Sequence, residues 1–200
     1  MRTRAHDELA GERDMGKHAW TGLWILAILA GLIACNGGEP RTAGESVGAL
    51  LAESDAFPAE GTIPQRYTCD GDDTSIPLRW SEPPAGTQSL ALIFDDVDAP
   101  AGTWVHWVIF NIPASVNSLP EGVAADAVVD GLGTNGSNSW GKLGYGGPCP
   151  PGGAPHRYTF RLYALDTMLD LEAGASRAEL DGAMLGHILD TGQLVGRYGR

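Results

Sequence analysis

Two histidines and a carboxylate stand out as residues able to do chemistry together. His106 sits between two tryptophans in Trp104-Val105-His106-Trp107, and His156 opens His156-Arg157-Tyr158. Asp96 belongs to the acidic, proline-ended connection Asp95-Asp96-Val97-Asp98-Ala99-Pro100. Imidazoles donate hydrogen bonds to oxyanions, and a carboxylate can orient an imidazole or favour its protonated form. Gly144-Tyr145-Gly146-Gly147-Pro148-Cys149 adds glycines whose backbone N–H groups can approach a ligand closely. Tyr158 adds a hydroxyl. Such groups suit reversible capture of a phosphate or carboxylate. They also suit general acid–base or metal chemistry, so a small hydrolase using Asp96, His106 and His156 stays open as the alternative. Against it, no Gly-x-Ser-x-Gly turn occurs within the 49–200 domain and no closely spaced ligand-histidine pair is present, and Ser137 and Ser139 have no neighbour in sequence to activate them.

The elements that must position these groups are strands. Leu90–Phe94 and Trp104–Pro113 are apolar, β-branched and aromatic runs on either side of the acidic connection, as paired strands require. A strict period of two places Trp104, His106, Val108 and Phe110 on one face, and Val105, Trp107 and Ile109 on the other. His156–Leu165 reads as a third strong strand with His156, Tyr158, Phe160 and Leu162 together. Ala49–Ser54 and Leu78–Trp80 are shorter strands, and Ile63–Thr68 is extended, with Pro64 directing it to an edge. Gly131–Gly153 is a long aperiodic stretch of the kind that forms functional loops. The one clear helix opens at Ser176 with a capping-box spacing to Glu179. Leu180, Ala183, Met184, His187 and Ile188 form its apolar stripe, which would pack His187, and Gly192 ends it before a last extended segment, Leu194–Tyr198. Asp70, Asp72 and Asp73 superficially resemble a calcium loop, but the alternating spacing and the closing glutamate are missing.

The chain of 200 residues has a formal net charge of -12. That balance argues against nucleic acid and against electrostatic docking on anionic lipid, so any anion must be held by a local site. Residues 1–34 read as a lipoprotein signal peptide: Lys17 and His18 precede an apolar run too short to span a bilayer, closed by Leu32-Ile33-Ala34-Cys35. Cys35 would carry the lipid (an acyl group such as palmitate), with Met1 or Met15 as the start of translation. An uncleaved anchor or a plain secretory signal is the alternative. Residues 35–48 form the lipidated cysteine and a Gly-rich tether, and 49–200 the globular domain. The expected location is the cell envelope, outside the cytoplasm.

Taken together, Thr68-Cys69-Asp70-Gly71-Asp72, Asp96-Val97-Asp98-Ala99-Pro100, Trp104-Val105-His106-Trp107, Gly147-Pro148-Cys149-Pro150-Pro151, His156-Arg157-Tyr158 and Gly196-Arg197-Tyr198-Gly199-Arg200 resemble the phosphatidylethanolamine-binding (Raf kinase inhibitor-like) family, bacterial branch. The resemblance covers residues 49–200. It implies a mainly β, Greek-key, sandwich-like fold with a large central sheet, a smaller second sheet and one or two flanking helices near the C-terminus. It also implies a small anion pocket walled by Asp96, Trp104, His106, Gly147, Pro148, His156 and Tyr158; on the chemistry of the residues, the Gly146 backbone N–H would donate to the anion beside that of Gly147. Val97 stands where the family usually has proline between the two aspartates, and Ala154 where it has glycine before His-Arg. The implied partner is a phosphate-bearing small molecule or phospholipid head group, with neither catalysis nor a cofactor or metal. A role as inhibitor or interaction module for another protein is a further reading. With Cys35 used for lipid, Cys69 and Cys149 remain; an oxidising compartment favours a disulfide between them, against two free thiols.

Overall fold

The computed structural model describes residues 50–200. The signal peptide, Cys35 and the tether lie outside the described residues. Strands β1 (Ala52–Glu53), β2 (Leu78–Trp80) and β5 (Ser118–Leu119) form a small sheet in the order β1-β2-β5. The large sheet is built from β3 (Ser89–Asp96), β4 (Trp104–Pro113), β6 (Val128–Val129), β7 (Gly133–Asn135), β8 (His156–Leu165) and β9 (Ile188–Tyr198), in the order β6-β7-β4-β3-β8-β9. The hairpin β3–β4 lies at its centre. After β7 the chain passes to the far side of that hairpin, so that β8 pairs with β3, a Greek-key step.

The central sheet buries both faces, which explains why β3 is apolar along almost its whole length. On one face Leu90, Leu92, Phe94, Tyr158, Phe160 and Leu162 pack against Leu78, Trp80 and Leu119 of the small sheet. On the other, Ala91, Ile93, Val108 and Phe110 meet Leu180 and Met184 of helix α1 (Arg177–Met184). Each large apolar side chain removed from water in these layers contributes about 1.5–3 kcal/mol. The helix begins as expected: the Ser176 hydroxyl accepts from the Glu179 N–H, and the Glu179 carboxylate accepts from the Ser176 N–H, a complete capping box. Asp95, fully buried on this face, accepts from Arg161 Nη1 and from Arg177 Nη1 at 2.6 Å and so ties α1 to the sheet.

Four local expectations are corrected. The strict alternation along β4 fails, because two bulges interrupt its pairing with β3. Phe94 faces Trp107 and Asp95 faces Val105, which leaves His106 as the extra residue. The helix is shorter than its stripe: Met184 ends it and Gly186 takes a positive φ of 83°. Ile188 then opens β9, which continues through Gly192 as a long partner of β8. His187 is exposed and donates from Nδ1 to Asp166 at 2.8 Å rather than packing inside. Residues 65–67, expected to be extended, form a 3-10 turn started by Pro64, with Tyr67 N–H donating to the Pro64 carbonyl.

Candidate functional site

The bulge at His106 builds the site. Without it His106 would face the helix side with Val108 and Phe110; the extra residue turns its ring to the side of Phe94 and Tyr158, with ring centroids 5.3 Å away in both cases. At this end of the sheet Asp96 pairs with Trp104 on one side and Tyr158 on the other. The strand ends therefore bring together residues distant in sequence. Asp96, Trp104, His106 and His156 line one cleft of about 340 Å³, whose remaining walls include Pro100, Trp140, Cys149, Pro150 and Pro151. Trp140 was not anticipated from sequence. It stands edge-on to His106 at 5.0 Å and to Trp104 at 5.4 Å, and is 42% exposed. An aromatic in a Gly/Asn/Ser-rich loop was the only available signal.

The hydrogen bonds fix which atoms remain available. His156 Nδ1 donates to Asp96 Oδ2 at 2.7 Å, and the Asp98 N–H donates to Asp96 Oδ1 at 2.9 Å. Both Asp96 oxygens are thus engaged, which blunts their repulsion of an anion. Arg157 clamps the next carboxylate, its Nε and Nη2 reaching Asp98 at 2.9 and 2.7 Å. This guanidinium pulls the Asp98 carboxyl down to about 2. Consecutive residues His156 and Arg157 therefore hold both aspartates of the Asp96–Pro100 connection.

His106 Nδ1–H donates to the Gly146 carbonyl at 2.7 Å, since a carbonyl can only accept. In the neutral ring Nε2 is then an acceptor, and no protein group among the described residues bonds it. Burial lowers the His106 pKa below its ordinary value, with the Gly146 carbonyl and Asp96 opposing that effect. Burial also raises the Tyr158 pKa, so its hydroxyl stays protonated. Two buried side-chain polar atoms among the described residues lack any hydrogen-bond partner: Trp104 Nε1 and the Tyr158 hydroxyl. Trp104 lines the cleft; Tyr158, expected as a wall, does not, but packs its ring against His106 with its hydroxyl near Asp96 and the Cys149 backbone. Buried polar groups are almost always satisfied, so the unpartnered Trp104 Nε1–H at the cleft marks a place for an outside partner.

The glycine loop acts differently from expectation. The Gly146 N–H donates to the His106 carbonyl at 2.9 Å, and the Gly147 N–H to Asp73 Oδ1 at 2.6 Å, so neither is free to bind an anion. Pro148 uses its carbonyl to accept from the Cys69 N–H at 3.1 Å. These three residues position His106 and the loop rather than walling the cleft. A Cβ on Gly147 would lie 2.5 Å from the Tyr67 carbonyl, so close packing explains that glycine. Cys69 and Cys149 form a disulfide across 80 residues of sequence, beside the cleft. The acidic turn is likewise committed: Asp70 accepts from the Tyr198 hydroxyl and pairs with Arg200, and Asp73 holds Gly147. No group of three or more His, Cys, Asp or Glu able to hold a metal ion occurs among the described residues. Ser139 Oγ accepts from the Val105 N–H at 2.8 Å, and Ser137 bonds its neighbouring backbone.

Comparison with known proteins agrees with this architecture. The family described as phosphatidylethanolamine-binding protein matches residues 53–199. A UPF0098 protein of Methanothermobacter thermautotrophicus is 55% identical over 146 residues, covering 72% of this chain and 95% of that protein. A UPF0098 protein of Pyrococcus horikoshii is 42% identical over 176 residues, 86% of this chain and 85% of the relative. Among solved structures, a phosphatidylethanolamine-binding protein homologue from Chlamydia trachomatis superposes with a TM-score of 0.69 at 40% identity, covering 76% of this chain and 98% of that one. The E. coli protein YbcL, described as a member of the mammalian PEBP family, gives 0.70 at 31% identity, with coverage of 76% and 98%. With the sheet order, the cleft at the strand ends and these matches in agreement, the chain belongs to the phosphatidylethanolamine-binding protein family.

Proposed function

We propose that the cleft of Asp96, Trp104, His106 and His156 binds a small oxyanion, such as a phosphate-bearing molecule or phospholipid head group, reversibly and without turnover. The observation that carries this reading is the buried, unpartnered Trp104 Nε1–H at the cleft. An indole N–H can only donate, so the missing partner is an acceptor. A bound oxyanion supplies several, and draws a proton onto His106 Nε2 as a further donor. The engagement of both Asp96 oxygens supports the same reading. Absence of turnover is favoured because Ser137 and Ser139 bond backbone groups rather than either histidine.

The proposed setting is outside the cytoplasm, with the chain held to a membrane through Cys35. The Cys69–Cys149 disulfide supports an oxidising compartment, and the Leu-Ile-Ala-Cys sequence supports lipidation. Mass spectrometry of the N-terminal peptide from the protein's own membranes tests this: a lipidated Cys35 is expected, and an unmodified Cys35 in a soluble fraction would refute it.

Titration with inorganic phosphate and with phosphoethanolamine, followed through the ring signals of His106 and His156, tests the binding reading. Saturable shifts of both rings are expected. Failure of both ligands to move either ring overturns it, and release of phosphate from phosphoethanolamine would replace it with the hydrolase reading.

A further inference from the structure

Among the described residues, the charged side chains divide unevenly. Every arginine is held by a carboxylate, from Arg66 on Glu121 to Arg200 on Asp70. Lys142 is the only lysine described and the one basic side chain with no ion pair among the described residues. In an acidic chain, with a formal net charge of -12, that leaves a single uncommitted lysine or arginine among the described residues. It stands beside the cleft. Lys142 lines a second cavity of about 210 Å³, which shares Trp140 and Cys149 with the first.

The loop that carries Lys142 is built to hold its place. Asn138, only 7% exposed, accepts at Oδ1 from the N–H groups of Trp140 and Lys142, at 3.0 and 3.1 Å. Its own N–H donates to the Lys142 carbonyl at 2.9 Å, and Gly141 turns the chain with a φ of 70°. Trp140 thus divides two cavities: Asp96, His106 and His156 on one side, and Lys142 with Asp73 on the other. The Asp73 carboxylate opposes an anion there, but one of its oxygens already accepts the Gly147 N–H.

We infer that the Lys142 cavity is a second subsite, so that the ligand is a phosphate compound carrying another acidic group, laid across Trp140 with its phosphate in the histidine cleft and its second anion at Lys142. This rests on the oxyanion reading of the first cleft and narrows it to doubly anionic ligands. The physical basis is that a lone ammonium beside a partly enclosed cavity gains a counter-ion at little desolvation cost, whereas a paired arginine would have to surrender a partner.

The test compares four probes on the full chain by calorimetry: inorganic phosphate, glycerol 3-phosphate, 3-phosphoglycerate and glycerophosphoserine. Glycerol 3-phosphate has a neutral tail, and 3-phosphoglycerate a carboxylate in a similar place. The expected result is about tenfold tighter binding of 3-phosphoglycerate than of glycerol 3-phosphate, lost in Lys142→Ala and enlarged in Asp73→Asn. Inorganic phosphate should bind both variants as it binds the wild type. A stronger response to glycerophosphoserine would identify a lipid-derived ligand, and a stronger response to 3-phosphoglycerate a soluble one. Equal weakening of all probes in Lys142→Ala, removed by salt, would reduce Lys142 to a long-range field and overturn the subsite. No change in Lys142→Ala would do the same while leaving the phosphate cleft intact. If no probe binds and the His106 and His156 rings do not respond, the first reading fails and the subsite with it.

Discussion

His106 and Gly146, 40 residues apart, hold each other by two reciprocal hydrogen bonds: the imidazole Nδ1–H donates to the Gly146 carbonyl at 2.7 Å, and the Gly146 N–H donates to the His106 carbonyl at 2.9 Å. The exchange fixes the tautomer of a buried ring and leaves Nε2 toward the cleft without a protein partner. It also leaves the Gly146 N–H, like the Gly147 N–H held by Asp73, already engaged within the protein. The glycine loop's polar groups are used to aim the histidine.

From that geometry follows a pH dependence. Neutral His106 offers a lone pair at Nε2, so an oxyanion gains its hydrogen bond only when the ring takes up a proton. Burial holds the free-state pKa low, so binding must draw that proton in. Sulfate, whose charge is constant in this range, is expected to bind more tightly as pH falls from about 8 to 6, approaching one proton taken up per anion. Calorimetry in buffers of different ionisation enthalpy reads the proton directly, and His106→Gln should flatten the profile.

The same lowered pKa bears on stability. The unfolded chain takes up a proton near the ordinary histidine value of about 6.5, whereas folded His106 resists it. The contribution of this group is therefore fully present above that value and is lost as pH falls from there through the lowered value of the folded state. In ligand-free protein, denaturant midpoints should decline below about pH 6.5, less so in His106→Gln.

Asp95 and Asp96 are neighbours in sequence that serve opposite faces of the sheet. Asp95 anchors Arg161 and Arg177 on the helix face, and Asp96 orients His156 in the cleft. Asp95→Ala is expected to cost about 2–3 kcal/mol, the two arginines being partly open to water, with phosphate affinity unchanged. Asp96→Ala should cost a similar amount, about 2–3 kcal/mol, by stranding the His156 and Asp98 N–H groups, and should abolish phosphate binding. Paired denaturation and titration curves separate the two roles.

Asp98 should titrate visibly with its clamp. Arg157 holds its carboxyl down to about 2, so this group contributes stability above the ordinary aspartate value that is lost as pH falls toward 2. Arg157→Gln is expected to return Asp98 to a pKa of about 4, read from its side-chain carbon shift. No change in that shift would show that the clamp is not formed in solution.

Removal of the disulfide by Cys69→Ser with Cys149→Ser should lower stability by about 2–4 kcal/mol, since it closes 80 residues of chain. The 145–148 backbone should stay docked through Gly147 on Asp73, Cys69 on Pro148 and the Tyr145 hydroxyl on the Tyr67 carbonyl. Hydrogen exchange of the double variant should accordingly show new exposure after Cys149, in the cleft wall of Pro150 and Pro151, and little change at 145–148.

Local patterning along the chain was enough to specify the strand framework. The apolar runs 90–94, 104–113 and 156–165 and the Ser176–Glu179 box depend on local patterning, and the structure keeps them. Pattern also brought Asp96, Trp104, His106 and His156 to strand ends, where β3, β4 and β8 gather them in one cleft. Side-chain direction and hydrogen-bond use were settled by the packing of distant segments. A bulge is set by pairing between strands, so strict alternation placed His106 on the wrong side. The fate of the Gly146 and Gly147 N–H groups depends on His106 and Asp73, which are near only after folding. Trp140 and Lys142 gain meaning through buried Asn138, and the isolation of that lysine emerges only when every described arginine has found its carboxylate. Side-chain direction and polar pairing are long-range properties of a β fold, and a local pattern cannot carry them.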